Sequence, residues 1–167
     1  ALPQGPAPVG GWPTAIYAHG GGGIAMDTGF MHLGPIFAAH EMATISFNAM
    51  EHGGGPESYI EIGTSSGTKT VRQMGRVGDW DNDGIYGAAD GSGAYTRNIL
   101  PRVSDVMTLA RSMHLGIDLD GTPGPDLATS AEHTFMTGIS FGGATTTITA
   151  AIDPAISLFA PNVPGSS

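Results

Sequence analysis

Apolar positions along this chain fall into short clusters separated by polar, glycine-rich intervals. Ala15 to Ala18 (AIYA) is an apolar run introduced by the turn residues Gly11 to Pro13, and it predicts a strand. Phe30 to His40 (FMHLGPIFAAH) predicts a helix that Pro35 limits or restarts. Ala43 to Phe47 (ATISF) predicts a second strand. From Asn48 to about Asn98 the chain is rich in Gly, Ser and Asp and predicts a long insertion-like loop, over residues 48–98, of a kind that is functional or ion-stabilised when it occurs in a compact domain. Ile99 to His114 places Val103, Val106, Met107, Ala110 and Met113 on one face at helical spacing. Thr134 to Thr137 predicts a short buried strand, Gly143 to Ile152 a packed helix, and Ile156 to Ala160 (ISLFA) a last strand. Four strands alternating with helices predict an α/β fold, with a mostly parallel sheet and right-handed crossovers that put helices on both faces.

Composition narrows the function. The 167 residues fit one domain. A net charge of −9, with one lysine (Lys69) and five scattered arginines, leaves no basic patch for a nucleic-acid partner. No apolar run is long enough for a transmembrane segment. The absence of cysteine removes disulfides, thiolate metal sites and cysteine nucleophiles together. An acidic, lysine-poor chain is compatible with a secreted or cell-surface bacterial protein, and its start at Ala1, with no signal peptide visible, reads as a processed or trimmed end.

The candidate chemistry begins at Gly138-Ile139-Ser140-Phe141-Gly142 (GISFG). With 27 glycines in the chain such a pentapeptide arises easily by chance, so its context must carry it. A strand before it and a helix after it are the setting of a nucleophile elbow, in which Ser140 would attack a carbonyl carbon. The second motif, His19-Gly20-Gly21-Gly22-Gly23, directly follows the first strand. Glycines there let backbone N–H groups of Gly20, Gly21 or Gly22 turn toward a developing oxyanion, with the N–H of Phe141 as partner donor and His19 supporting the loop. The alternative reading of each motif is a plain glycine turn. Their occurrence in the required order favours the hydrolase reading.

The chain resembles the α/β-hydrolase superfamily, and within it the bacterial extracellular lipases and esterases of virulence-factor type. The resemblance rests on YAHGGGG (Tyr17 to Gly23), SFNAMEHGGG (Ser46 to Gly55), GISFGG (Gly138 to Gly143) and DPAISLFAPNVPG (Asp153 to Gly165). Ile139 stands where such relatives usually carry His. The resemblance implies a carboxylic-ester hydrolase acting on a small-molecule or lipid ester through an acyl-enzyme on Ser140. It also implies that the chain is a partial hydrolase domain holding the central strands only. A catalytic acid and histidine follow the elbow in that superfamily, and nothing here fits them. They are therefore expected in the remainder of the domain, as another segment or chain. Of the histidines present, His52 is on the same sheet edge as Ser140, either as a base or as a loop-structuring residue. His133 and Asp153 belong to the opposite end, and no triad is assigned.

One further pattern points to a structural calcium ion. Asp79, Asp81, Asp83, the carbonyl of Ile85 and Asp90 stand at positions one, three, five, seven and twelve of an EF-hand-like loop, with Gly84 at six. Asp118, Asp120 and Asp126 form a weaker segment of similar character. Three rival functions stay open at this point: an amidase or peptidase, a polyester depolymerase, and a non-catalytic calcium-binding extracellular module.

Overall fold

The computed structural model describes residues 1–53, 59–64, 67–72, 75–76, 94–118, 124–125 and 127–165. Four strands form one sheet: β1 (Thr14–Ala18), β2 (Ala43–Ser46), β5 (Thr134–Ile139) and β6 (Leu158–Asn162), in the order β2-β1-β5-β6 and all parallel. Strands β1 and β5 run in register from Thr14 opposite Thr134 to Ala18 opposite Gly138, so their ends carry the two candidate motifs side by side. Burial on both faces explains why β1 reads as an unbroken apolar run.

Helix α1 (Thr28–Ala39) covers one face, with Phe30 against Tyr17. Helices α2 (Ala94–Leu115) and α3 (Phe141–Ile152) cover the other. On that side Ile16, Ala18 and Met136 pack with Val106, Ala110 and Met113 of α2, the predicted apolar stripe. Buried threonines in α3 return their hydroxyl protons to the helix itself: Thr146 to Gly142 O at 2.8 Å and Thr149 to Thr145 O at 2.8 Å. Their polar atoms are thereby satisfied inside the core.

Three expectations change. Helix α1 runs continuously through Pro35. Both Met31 and Pro35 face solvent there, where water can serve the carbonyl that proline leaves without an N–H. The predicted loop from Asn48 to Asn98 contains an antiparallel hairpin, β3 (Tyr59–Thr64) with β4 (Gly67–Arg72), and the first residues of α2. The last strand lies two residues later than predicted. Ile156 is buried in the connection ahead of it, and the pairing with β5 continues through Pro161, which an edge strand tolerates.

Candidate active site

Ser140 stands between β5 and α3 with φ 55° and ψ −116°. A non-glycine residue at that φ is strained, and the neighbours show what maintains it. A Cβ on Gly142 would lie 1.9 Å from Ala18 O, and one on Gly138 would lie 2.5 Å from Gly142 O. Only glycine permits strand β1, strand β5 and helix α3 to approach so closely. The Ser140 N–H donates to Asn162 O at 3.0 Å, and Ala144 N–H donates to Ser140 O at 2.9 Å. Ser140 occupies the N-cap of α3, yet its hydroxyl caps nothing and the residue is exposed. The positive end of a twelve-residue helix therefore faces the site.

The HGGGG loop folds over this turn. A Cβ on Gly20 would sit 3.6 Å from Ser140 Cβ. Gly23 N–H closes a turn onto Gly20 O at 3.1 Å. Gly22, at φ 73°, donates its N–H to His52 Nε2 at 3.1 Å. That N–H is therefore committed to the loop, and among the three glycines expected to serve an oxyanion it is the one already engaged. The N–H groups of Gly20 and Gly21 make no hydrogen bond among the described residues.

His19 and His52 hold the loop from beneath, with ring centroids 4.9 Å apart. Both are neutral by construction. His19 Nδ1–H donates to Gly20 O at 2.7 Å, and Nε2 accepts Ala49 N–H at 3.2 Å. His52 Nδ1–H donates to Met50 O at 2.8 Å while Nε2 accepts from Gly22. Burial, and then the Arg102 cation, lower the His19 pKa to about 4, and burial lowers that of His52. The segment after β2 thus acts as a cradle: Asn48 Oδ1 accepts Ala25 N–H at 2.7 Å, Ala49 holds His19, and His52 holds Gly22. Holding the glycine loop is thus the physical role of the SFNAMEH segment. Of the two readings of His52, its hydrogen bonds support loop structuring.

The remaining histidines are elsewhere. His32 bonds Thr28 O on α1, and His40 caps the carboxyl end of that helix. His114 and His133 meet Thr134 and Ser130 at the amino-terminal end of β5. Asp153 is at the far end of α3, paired with Arg111. None of the six histidines hydrogen-bonds Ser140 among the described residues.

Sequence reasoning missed Arg102. It is fully buried on α2, donates from Nη2 to His19 O, and holds its guanidinium 4.9 Å from the Phe141 ring centroid. The signal was present: Arg102 falls on the same helical stripe as Val103 and Val106, a charge at an apolar position. The expected calcium residues Asp79, Asp81, Asp83, Ile85 and Asp90, together with Asp120 and Asp126, lie outside the described residues. Asp118 is described and exposed, and no group of three His, Asp or Glu side chains fit for a metal occurs among the described residues. No helix among them is long and apolar enough to cross a membrane.

No protein-family model and no curated protein matches the sequence. Several solved structures share its fold, two of them esterase-related. One is Est1E from Butyrivibrio proteoclasticus, solved with ferulic acid bound, at a TM-score of 0.51 and 16% identity over 87% of this chain. The other is a ferulic acid esterase from Streptomyces cinnamoneus, at 0.53 and 19% over 90%. The chain spans 41% and 36% of the length of these two neighbours. The shared part is an α/β fold with a parallel four-stranded sheet. One of these neighbours is a ferulic acid esterase and the other holds ferulic acid, and at this identity the likeness shows the fold alone.

Proposed function

We propose that this chain carries the nucleophile and the oxyanion side of a serine hydrolase acting on carboxylic esters. The observation that carries the reading is Ser140 itself: an exposed, uncapped serine at φ 55°, on the crest between β5 and α3, with Gly20 of the glycine loop against it. Strain of this kind persists only where surrounding contacts impose it, and it favours a functional role.

In the proposed reaction Ser140 Oγ attacks the ester carbonyl carbon and its proton passes to a base. The carbonyl oxygen becomes an oxyanion, the alcohol leaves with a proton, and an acyl-enzyme remains for water to cleave. The N–H groups of Gly20 or Gly21, with that of Phe141 at the start of α3, are the donors for the oxyanion. The two buried histidines have both ring nitrogens engaged in holding the loop. We therefore place the base and its orienting acid in sequence beyond these residues, in the same chain or another.

The test is Ser140→Ala in the full-length protein, assayed against a panel of short-chain, long-chain and feruloyl esters with amides as controls. Ester turnover and labelling by a fluorophosphonate probe are both expected to vanish while thermal unfolding is unchanged. Retained turnover would sink the assignment, and preferred amide cleavage would redirect it to an amidase.

A further inference from the structure

Arg102 is a buried cation without an anionic partner in contact among the described residues. Its side chain is fully enclosed, and Nε and Nη1 find no hydrogen-bond acceptor among the described residues. Asp105, one turn along α2, is the ion-pair partner of Arg76, and Asp27 accepts from Tyr17 and from Phe30 N–H. Burying a charge this way is costly unless something else offsets it. Burial lowers the Arg102 pKa to about 10, which leaves it protonated at neutral pH.

The Phe47 ring lies 5.9 Å from the guanidinium, and the other two contacts share one feature. Nη2 donates to the carbonyl of His19, whose peptide unit also contains the N–H of Gly20. No peptide bond among the described residues is cis, so that N–H points opposite to its carbonyl, away from Arg102. A cation on the carbonyl oxygen polarises the whole unit and strengthens the N–H as a donor. The second contact is with the ring of Phe141, the residue after the nucleophile. One buried charge therefore bears on the residues at both sides of the oxyanion site.

The geometry points to Arg102 as a positioning residue that orients and polarises the oxyanion donors, with the negative charge of the tetrahedral intermediate as its counter-charge. This inference rests on the ester-hydrolase reading. It acts through the His19–Gly20 peptide, so it favours an anionic, tetrahedral adduct at Ser140 over the neutral ester. Its effect belongs in the tetrahedral steps of both acylation and deacylation, not in ground-state binding.

Phenylboronic acid separates the two. Ser140 Oγ bonds to boron, the hydroxyl proton is released, and boron becomes tetrahedral and negatively charged. In the full-length protein Arg102→Met is expected to weaken boronate binding and lower kcat/KM by a similar factor, about 10- to 100-fold, with KM changed less than about threefold. Arg102→Lys keeps the charge without the planar fork. It is expected to lose less, and it serves as the test if the methionine variant does not fold. A folded variant that binds boronate as tightly as wild type overturns the role of Arg102. So does a loss carried entirely by KM. Failure of the underlying reading looks different: wild type would then bind no boronate, and Ser140→Ala would keep its turnover.

Discussion

A methyl group added at Gly142 would reach 1.9 Å from Ala18 O and 2.7 Å from His19 O, both backbone atoms that cannot swing aside. At Gly20 the same addition meets nothing nearer than Ile139 O at 3.5 Å, an ordinary contact. Two glycines in two motifs thus do different work: Gly142 sets the approach of β1 to α3, and Gly20 keeps space open beside Ser140. Gly142→Ala is expected to lose about 2–4 kcal/mol of stability in chemical denaturation. Gly20→Ala is expected to stay within about 1 kcal/mol of wild type. Equal losses from the two would mean that the close approach at the elbow does not set its stability. The positive φ of Ser140 has no sequence signature of its own. It became legible only through the flanking glycines, since composition gives such residues many other uses.

At the level of elements, the HGGGG loop is held by acceptors that exist only on neutral imidazoles. Protonating His19 at Nε2 would leave Ala49 N–H facing a donor, beside a second imidazole and the Arg102 cation. His19 has its pKa lowered from 6.5 to about 4. Between those values the unfolded chain takes up a proton that the folded chain refuses. Stability is therefore full above about pH 6.5 and falls as the pH drops toward 4, by about 3 kcal/mol for this group. Urea unfolding at pH 7, 5.5 and 4 should show the decline, and His19→Gln should flatten it. An identical decline in the variant would place the acid sensitivity elsewhere. Elements were legible where burial wrote a simple pattern. Strands β1, β2 and β5 are short apolar runs, and α2 keeps its stripe at Val103, Val106, Ala110 and Met113. The hairpin was not read because its described side chains, such as Tyr59 and Val71, face solvent and leave no core periodicity. Its Tyr, Ile, Thr and Val content on either side of the sequence Ser-Ser-Gly was the available signal. The cradle from Asn48 to His52 could not be read either, because its bonds join residues about thirty apart in sequence.

Across the whole molecule, α2 grips the elbow unit at both ends. Arg102 reaches His19 and Phe141 near the start of α3, and Arg111 reaches Asp153 at its end. A twelve-residue helix separates these ends by about 18 Å. The far grip is a bidentate pair at 3.0 and 3.2 Å onto an Asp153 side chain with no exposure, which also accepts Ala155 N–H at 3.0 Å. Half of the Arg111 side chain is in solvent, so its own desolvation is small, whereas Asp153 would be left charged and buried without it. The Arg76–Asp105 pair is the contrast, with both partners partly exposed. Arg111→Met should therefore cost about 2–4 kcal/mol, against less than about 1 for Arg76→Met. Because the far grip holds the carboxyl end of α3, about 18 Å from Ser140, the part of Arg111→Met that stays folded should label with fluorophosphonate at the wild-type rate. A slower rate in that fraction would show that the seat of α3 on α2 tunes Ser140 as well as holding it. Equal costs for the two arginines would show that burial of Asp153 does not set the strength of this grip.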